Sequence, residues 1–398
     1  MPQSYRFNIY YLYLIKLSKW LMLIMPIVAL FYNENGLNDF DIFLLQAIYS
    51  VSVAIMEIPS GYMADVVGRK KTLILGSLMG TLGYLIYSVS HDFTGFLVAE
   101  ITLGVGGSFI SGADSAMLFD SLVATKRQHK YLQFEGRITS LGNFAETIAA
   151  VCGGLIAAFL SYRSVYISQA IIAALAVPAS ILLLEPPRDS LIARPGLQHI
   201  LSVCKNTILI NKKLSSAIFL SSVTGITTLC MAWCSQIYFV ANGFTEVTIT
   251  PLWVSLNLTV AIIAAFASYA MKVLGKKFSL LLIVCYLPLT YIFLGWLPII
   301  PAIICLYFFY AVRGYATPVL KGLINQNCGS STRATVLSLR SLVIRFGFAI
   351  LGPSIGLLSD SFSLSFALIF TGIILLIFAI LAGSRLISFM PEIFNHNS

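Results

Sequence analysis

The chain has 398 residues, of which 58% are hydrophobic and only 10% charged, and its formal net charge is +9 at pH 7. A mean hydropathy of +0.89 excludes a soluble globular protein, and no extramembrane domain fits beside the apolar runs. A helix needs about 20 apolar residues to cross about 30 Å of hydrocarbon, so the chain has material for roughly a dozen spans.

Apolar runs separated by polar breaks predict spans over 10–32, 40–63, 71–90, 94–119, 138–160, 164–184, 215–240, 248–271, 279–297, 301–323, 336–358 and 362–384. The first run is too long for the apolar core of a signal peptide and lacks a small-residue cleavage site, so it is expected to stay as a span. After the sixth span comes the longest polar stretch, "EPPRDSLIARPGLQHILSVCKNTILINKK". Its prolines and mixed charges suit a linker carrying a short surface helix. The expected organisation is an N-terminal six-helix bundle over 1–184, a cytoplasmic linker over 185–213 and a C-terminal six-helix bundle over 214–398.

Lysine and arginine avoid translocation and so report orientation. With the N-terminus in the cytoplasm, the inner loops take the cations at 69–71, 126–130, 188–213, 272–277 and 333, and the outer loops take Arg163 alone. Both termini are then cytoplasmic. The positive charge reports topology rather than a nucleic-acid surface, and no nucleic-acid partner is expected.

"GYMADVVGRK" at 61–70 reappears as "SYAMKVLGKK" at 268–277, 207 residues later, each time between the second and third spans of its half. A parallel repeat of this kind is a transporter signature, with a solute site near the midplane between halves that rock about it.

Gly61, Asp65, Gly68, Arg69 and Lys70 fit the loop motif G-x-x-x-D-x-x-G-[RK]-[RK]. In this motif and in topology, over essentially the whole chain, the sequence resembles the major facilitator superfamily of secondary transporters. It departs where Val66 follows Asp65 and where Lys272 replaces the aspartate in the second copy. The resemblance implies a conformational latch. Asp65 would accept hydrogen bonds from the N-terminus of span 11, near 335–338, and Arg69 would bridge Asp65 to Asp120 at the inner end of span 4. The latch would favour the outward-facing state and break when the cytoplasmic side opens.

Ionisable residues inside spans are costly unless they face a cavity or a partner. The N-terminal half has Lys16 and Lys19, Glu57, Glu100, Asp114 and Glu146, whereas the C-terminal half has only cations: Arg313, Lys321, Arg340 and Arg345. Lys16, Lys321 and Arg340 lie near the cytoplasmic edge, where long side chains can snorkel. Glu57 in "EIPSG" suits a gate or packing carboxylate, and Asp114 could pair with Lys16 or Lys19. Glu100, Glu146, Arg313 and Arg345 lie deeper, with a buried structural ion pair as the competing reading. Acids on one wall and arginines on the other would suit an anion or a zwitterion. Glu100, Glu146 and Asp114 are the candidate proton-coupling residues, and Lys16, Lys19, Arg313 and Arg345 the candidate solute contacts.

"EITLGVGG" at 100–107 has the spacing of a second facilitator motif, R-x-x-x-G-x-G, with Glu100 in place of the arginine. By the resemblance, this departs from the proton antiporters while supplying a carboxylate. Span 5 carries "AAVCGGLIAA" at 149–158, with the glycine pair but not the proline of the drug antiporter motif G-P-x-x-G-G. The glycines of both spans read as close helix contacts.

Cys230 and Cys234 share a helical face, but no histidine accompanies them at metal spacing, so no metal is expected. No phosphate-binding glycine loop with a lysine is present, so no nucleotide cofactor is expected and energy must come from a gradient. Protons are the favoured ion because carboxylates are available, and sodium stays open. The reading is an all-α integral membrane protein of twelve transmembrane helices that moves a small-molecule solute across a lipid bilayer, acts as a monomer and is not an enzyme. Compact loops point to a bacterial inner membrane. Export of a drug or metabolite is slightly favoured, with proton symport of an anionic or zwitterionic solute and a lipid flippase as alternatives.

Overall fold

The computed structural model describes residues 5–186, 202, 204–329 and 332–391, and every regular element among them is helical. The first eight helices are α1 Tyr5–Trp20, α2 Val28–Glu34, α3 Asp39–Val66, α4 Arg69–Val89, α5 Phe93–Ala124, α6 Tyr131–Phe159, α7 Tyr162–Ala174 and α8 Ala176–Leu182. The remainder are α9 Lys212–Ala241, α10 Glu246–Ala265, α11 Ala267–Leu281, α12 Leu287–Trp296, α13 Ile299–Gln326, α14 Arg333–Ser361 and α15 Leu364–Phe389. A π turn, Leu282–Tyr286, joins α11 to α12. Most of the expected linker, including its surface helix, lies outside the described residues.

Among the described residues, ten segments are long and apolar enough to cross a membrane. The other two expected spans differ for identifiable reasons. The fifth, α6, has a polar first half, leaving Phe144–Phe159 as its apolar part. The first is not one helix over 10–32: it breaks at Leu21–Ile27 between α1 and α2. Pro26 has no N–H and disfavours the helical conformation at Met25. The break is closed from outside, because the buried Leu23 N–H donates to Gln169 Oε1 of α7 at 2.8 Å. A Cβ on Gly153 of α6 would run into the Leu23 carbonyl, so the first glycine of the span 5 pair is what lets α6 lie against the break. With these two, the described residues accommodate the twelve expected spans.

Helix starts follow from local chemistry. Asn38 and Asp41 form a reciprocal capping box at α3, and Asp92, Ser161 and Ser363 accept N–H bonds at the starts of α5, α7 and α15. Two turns need glycine. Gly68 has φ +123° and Gly275 has φ +70°, conformations that side chains with a Cβ rarely adopt. They occupy matching places in the 207-residue repeat, so the repeat preserves backbone geometry even where Asp65 becomes Lys272.

The chain divides into two compact units, 1–192 with 243–254, and 193–242 with 255–398. In the first, α4 and α5 approach so closely that a Cβ on Gly106 would lie 2.9 Å from Gly80 N and 3.0 Å from Gly76 O. Gly104 seats the same helix on Ser52 and Tyr49 of α3. The opening turns of α10 belong to this unit: Tyr162 Oη donates to Glu246 Oε2 at 2.8 Å, and Thr250 packs on Gly154. In the second unit, Tyr291 of α12 donates to Thr227 O of α9 at 2.5 Å, and Gly372 of α15 packs on Pro288 and Ile292.

Gln169→Leu leaves the Leu23 N–H buried and unbonded, a cost of about 1–3 kcal/mol. The expected outcome is a lower thermal unfolding midpoint for the purified protein in detergent. An unchanged midpoint would show that the break in the first span does not depend on Gln169.

Candidate functional site

The first unit gathers its ionisable groups at both ends of the bundle. At the end holding the repeat loop, Gly68 turns the chain from α3 into α4, and α4 starts without a side-chain cap of its own. Glu185, just beyond α8, takes that role: its Oε1 accepts from Arg69 N at 3.0 Å and its Oε2 from Lys70 N at 2.7 Å. A carboxylate at a helix N-terminus satisfies free N–H groups and sits at the positive end of the helix dipole. The Arg69 side chain then folds inward, where Nη1 pairs with Asp120 and donates to Ala116 O, both on α5. Its Nε is buried without an acceptor. Asp65 is half-buried on the last turn of α3, and a Cβ on Gly61 would meet open space.

One layer deeper, Lys16 of α1 is 8% exposed and lies between two carboxylates. Its Nζ is 2.9 Å from Glu135 Oε1 of α6 and 3.5 Å from Asp114 Oδ2 of α5, while Ser115 Oγ donates to Glu135 Oε1 at 3.1 Å. Lys16 is therefore a paired buried cation rather than an interfacial anchor. Lys19, one turn on, is exposed. Ile15, Met117, Leu118 and Ile138 of the same three helices belong to a buried hydrophobic core, and burial of this kind raises the cost of leaving any of these charges alone.

At the opposite end, Glu100 of α5 is 5% exposed. Its Oε1 accepts from Tyr87 Oη of α4 at 2.6 Å, Gln46 Nε2 of α3 at 2.7 Å and Tyr32 Oη of α2 at 3.0 Å. Phe31, Phe96 and Tyr166 complete an aromatic box around it. Glu146 of α6 is half-buried and belongs to neither cluster.

The second unit differs in kind. Arg313 of α13 lies 5.3 Å from the Tyr310 ring centre, and Arg340 Nε donates to Ser221 Oγ of α9. Arg345, half-buried on α14, has no hydrogen-bond or ion-pair partner among the described residues. None of Arg313, Arg340, Arg345 and Lys321 forms an ion pair with a described carboxylate. No three histidine, cysteine, aspartate or glutamate side chains come together as a metal site among the described residues.

Glu135 and Glu185 were not among the residues singled out from sequence. Glu135 stands one turn into α6, three residues before the predicted start of that span at 138, and Glu185 precedes a proline pair that reads as linker. The signal for Glu135 was available in the polar residues of 131–143, which continue the helical phase of the span.

The sequence profile of the Major Facilitator Superfamily matches residues 18–320. The chain belongs to that superfamily. Among curated relatives, the quinolone resistance protein NorA of Staphylococcus aureus is 22% identical over 184 residues, 46% of this chain and 45% of NorA. An uncharacterized transporter of Buchnera aphidicola is 29% identical over 153 residues, 37% of this chain and 36% of that protein. The matches thus span less than half the length of these relatives. Among solved structures, a bacterial homolog of the human lysosomal transporter Spinster superposes with a TM-score of 0.75 at 13% identity, covering 98% of both chains. The nucleoside transporter NupG gives 0.72 at 13% identity, covering 100% of this chain and 99% of NupG. These superpositions give the fold, that of an integral membrane transporter family.

Asp120→Asn leaves the Arg69 guanidinium buried without its counter-charge, a change of the kind that costs about 3–5 kcal/mol when a pair is fully buried and less here, where Asp120 is partly open. Glu185→Gln weakens a helix-end interaction of about 0.3–2 kcal/mol. In thermal unfolding, Arg69→Met combined with Asp120→Leu is expected to cost less than the sum of the two single changes. Strictly additive losses would show that the two side chains do not interact.

Proposed function

We propose that the protein is a secondary active transporter that moves a small organic solute across a bacterial inner membrane by alternating access, coupled to protons. Both termini face the cytoplasm in this reading, and export of a drug or metabolite is the favoured direction. Membership of the superfamily and the similarity to NorA support transport and export. The observation that carries proton coupling is Glu100, a carboxyl group almost without solvent contact, two turns inside a membrane helix, which no described cation pairs with. A carboxyl group in such a place is stable when neutral and costly when charged, which is the chemistry of a group that exchanges a proton as its access to water changes. Asp114, beside Lys16, and Glu146 are the other candidates.

The Arg69, Asp120 and Glu185 cluster fits a part that is broken and remade in each cycle. It joins α4, α5 and the end of α8 through charge-assisted contacts at helix ends, where water can replace them when the cytoplasmic side opens. One charge crossing 100 mV releases about 2.3 kcal/mol, and about 1.4 kcal/mol is tenfold in concentration. A single proton per cycle therefore sustains roughly fortyfold accumulation or exclusion.

A second reading, proton symport of an anionic or zwitterionic solute, is favoured by one observation. Arg313 and Arg345 sit within membrane helices with no described carboxylate to neutralise them, as a site for a negatively charged solute would require.

The test is uptake or counterflow in proteoliposomes under an imposed pH gradient, with anionic, zwitterionic and cationic solutes compared. The gradient is expected to drive one solute class at least tenfold, and Glu100→Gln to lower that accumulation more than it lowers gradient-free exchange. If Glu100→Gln and Glu146→Gln both behave as wild type, proton coupling through these residues is wrong, and sodium coupling or uniport takes its place. Selective loss of the anionic class in Arg345→Gln would favour symport over export.

A further inference from the structure

The second unit holds cations that no described carboxylate answers, and two of them stand together where α9 begins and α15 ends. We propose that Lys212 and Arg385, set around Phe389, bind the phosphate headgroup of an anionic phospholipid at the rim of the membrane, with an acyl chain lying along α15. The inference rests on the membrane fold alone and holds whatever the solute, the coupling ion or the direction of transport.

The membrane-crossing part of α9 begins at Lys212 and that of α15 ends at Phe389, so both helix ends lie where hydrocarbon gives way to headgroups. Arg385 of α15 reaches to α9, where its Nη2 donates to Ser215 Oγ at 3.1 Å. Ser215 is 8% exposed and acts as a fixed anchor, while Arg385 itself stays open to the surroundings. Its guanidinium also lies 6.0 Å from the ring centres of Phe219 on α9 and Phe389 on α15. Lys212 comes to the same Phe389 ring, with its Nζ 5.6 Å from the ring centre. One aromatic ring is thus bordered by two cations from two helices, each drawn to its electron-rich face.

Packing alone does not account for the pair. Among the described residues, neither cation forms an ion pair with a carboxylate, and like charges brought to one place repel. Snorkelling explains a long cation that reaches for water at a helix end, but Arg385 is tied to a buried serine on the neighbouring helix. A guanidinium has five N–H donors, and the described residues engage one of them. The planar fork that is left matches phosphate oxygens in pairs, and a lysine beside it adds a point charge. Basic sites between membrane helices at headgroup level bind anionic lipids by this chemistry.

The neighbouring hydrocarbon surface favours a lipid over a free anion. Ile373, Ile377 and Leu381 precede Arg385 at four-residue intervals on α15, and all three are exposed. Such spacing makes one stripe along the helix, about 18 Å long at about 1.5 Å per residue, close to the half-thickness of about 30 Å of hydrocarbon. Ile208, Leu209 and Ile210, which lead into α9, are exposed as well. A phospholipid with its phosphate on the two cations has apolar surface for its tail, which a free phosphate would leave unused.

The proposal is tested by photo-crosslinking of the full chain in phosphatidylcholine nanodiscs that contain a trace of diazirine-labelled phosphatidylglycerol, with the labelled residues mapped by peptide mass spectrometry. The α15 stripe is expected to take up this probe about tenfold more than a labelled phosphatidylcholine, in line with the attraction that two cations exert at a membrane surface. Excess unlabelled phosphatidylglycerol competes in this reading and millimolar inorganic phosphate does not. Lys212→Gln combined with Arg385→Gln is expected to bring the preference to about onefold. Ile300, Ile304 and Phe308 of α13 form a second exposed stripe, and its unchanged labelling shows that the variant is folded. The site is wrong if both probes label the α15 stripe equally in wild type. It is also wrong if Lys126→Gln with Lys130→Gln, cations of another loop, lowers the preference as much, which would mark a diffuse charge effect. Displacement of the probe by inorganic phosphate would overturn it too, by marking a site for a free anion.

Discussion

Hydrocarbon offers no hydrogen bonds, so each backbone amide and each charge inside the spans must find its partner within the protein, at a cost of several kcal/mol when it does not. The first unit is arranged around that constraint. Where the first span breaks at Pro26, a side chain from α7 crosses to take the Leu23 N–H. Where α4 begins at a glycine that cannot cap it, Glu185 arrives from a position 116 residues away to accept the Arg69 N–H. Both irregular segments are tolerated because a distant polar side chain finishes them, and each contact ties two helices together. The small residues of α4 and α5 serve the same end by bringing backbones close enough for dispersion to act without a hydrophobic drive.

The same constraint sorts the charges. On α5, Glu100 and Asp114 are 14 residues apart, about 21 Å along the helix at about 1.5 Å per residue. The two cannot share a proton through one hydrogen bond, and their environments are opposite. Asp114 has Lys16, and Lys16 has Glu135 as well, so this cluster is an electrostatic knot that ties α1, α5 and α6. Glu100 has only hydroxyls and an amide. A carboxylate beside a lysine has a counter-charge within the bundle, whereas one surrounded by neutral donors depends on hydrogen bonds alone. The knot is thus suited to hold the bundle, and Glu100 to exchange an ion.

Much of the fold was legible because apolar length and loop charge are properties of contiguous sequence, and the spans, the repeat and the loop motif all lie within short windows. The break in the first span was legible in principle from Pro26, but Pro59, Pro318 and Pro353 lie inside intact helices, so a proline alone does not decide. Glu100 and Asp114 stand out as charges in apolar runs. Their partners do not: Tyr32 is 68 residues from Glu100, Gln46 is 54 away, and nothing about a tyrosine in a membrane helix marks it as a ligand. Glu135 and Glu185 were hidden for another reason. Each lies at the polar edge of a span, where a carboxylate ordinarily faces water, and only the packing of α1 and α4 against those edges gives it a partner.

The two copies of the repeat separate what the backbone requires from what the charges add. Gly68 and Gly275 share a positive φ, so the turn is common to both units, while the Asp65 position carries a lysine in the second. Glu100, Asp114 and Glu146 lie on the first unit, and Arg313 and Arg345, without an ion-pair partner among the described carboxylates, on the second. In the proposed reading each unit therefore carries its own unmet desolvation cost. A proton removes the cost at Glu100, and a negatively charged group of the solute removes it at Arg313 and Arg345. Coupling then needs no residue that touches both ligands. It needs only that the conformational change be cheap when both costs are relieved or neither charge is exposed to hydrocarbon, and expensive when one is left. A few kcal/mol at each position suffices, because about 1.4 kcal/mol already changes a population tenfold.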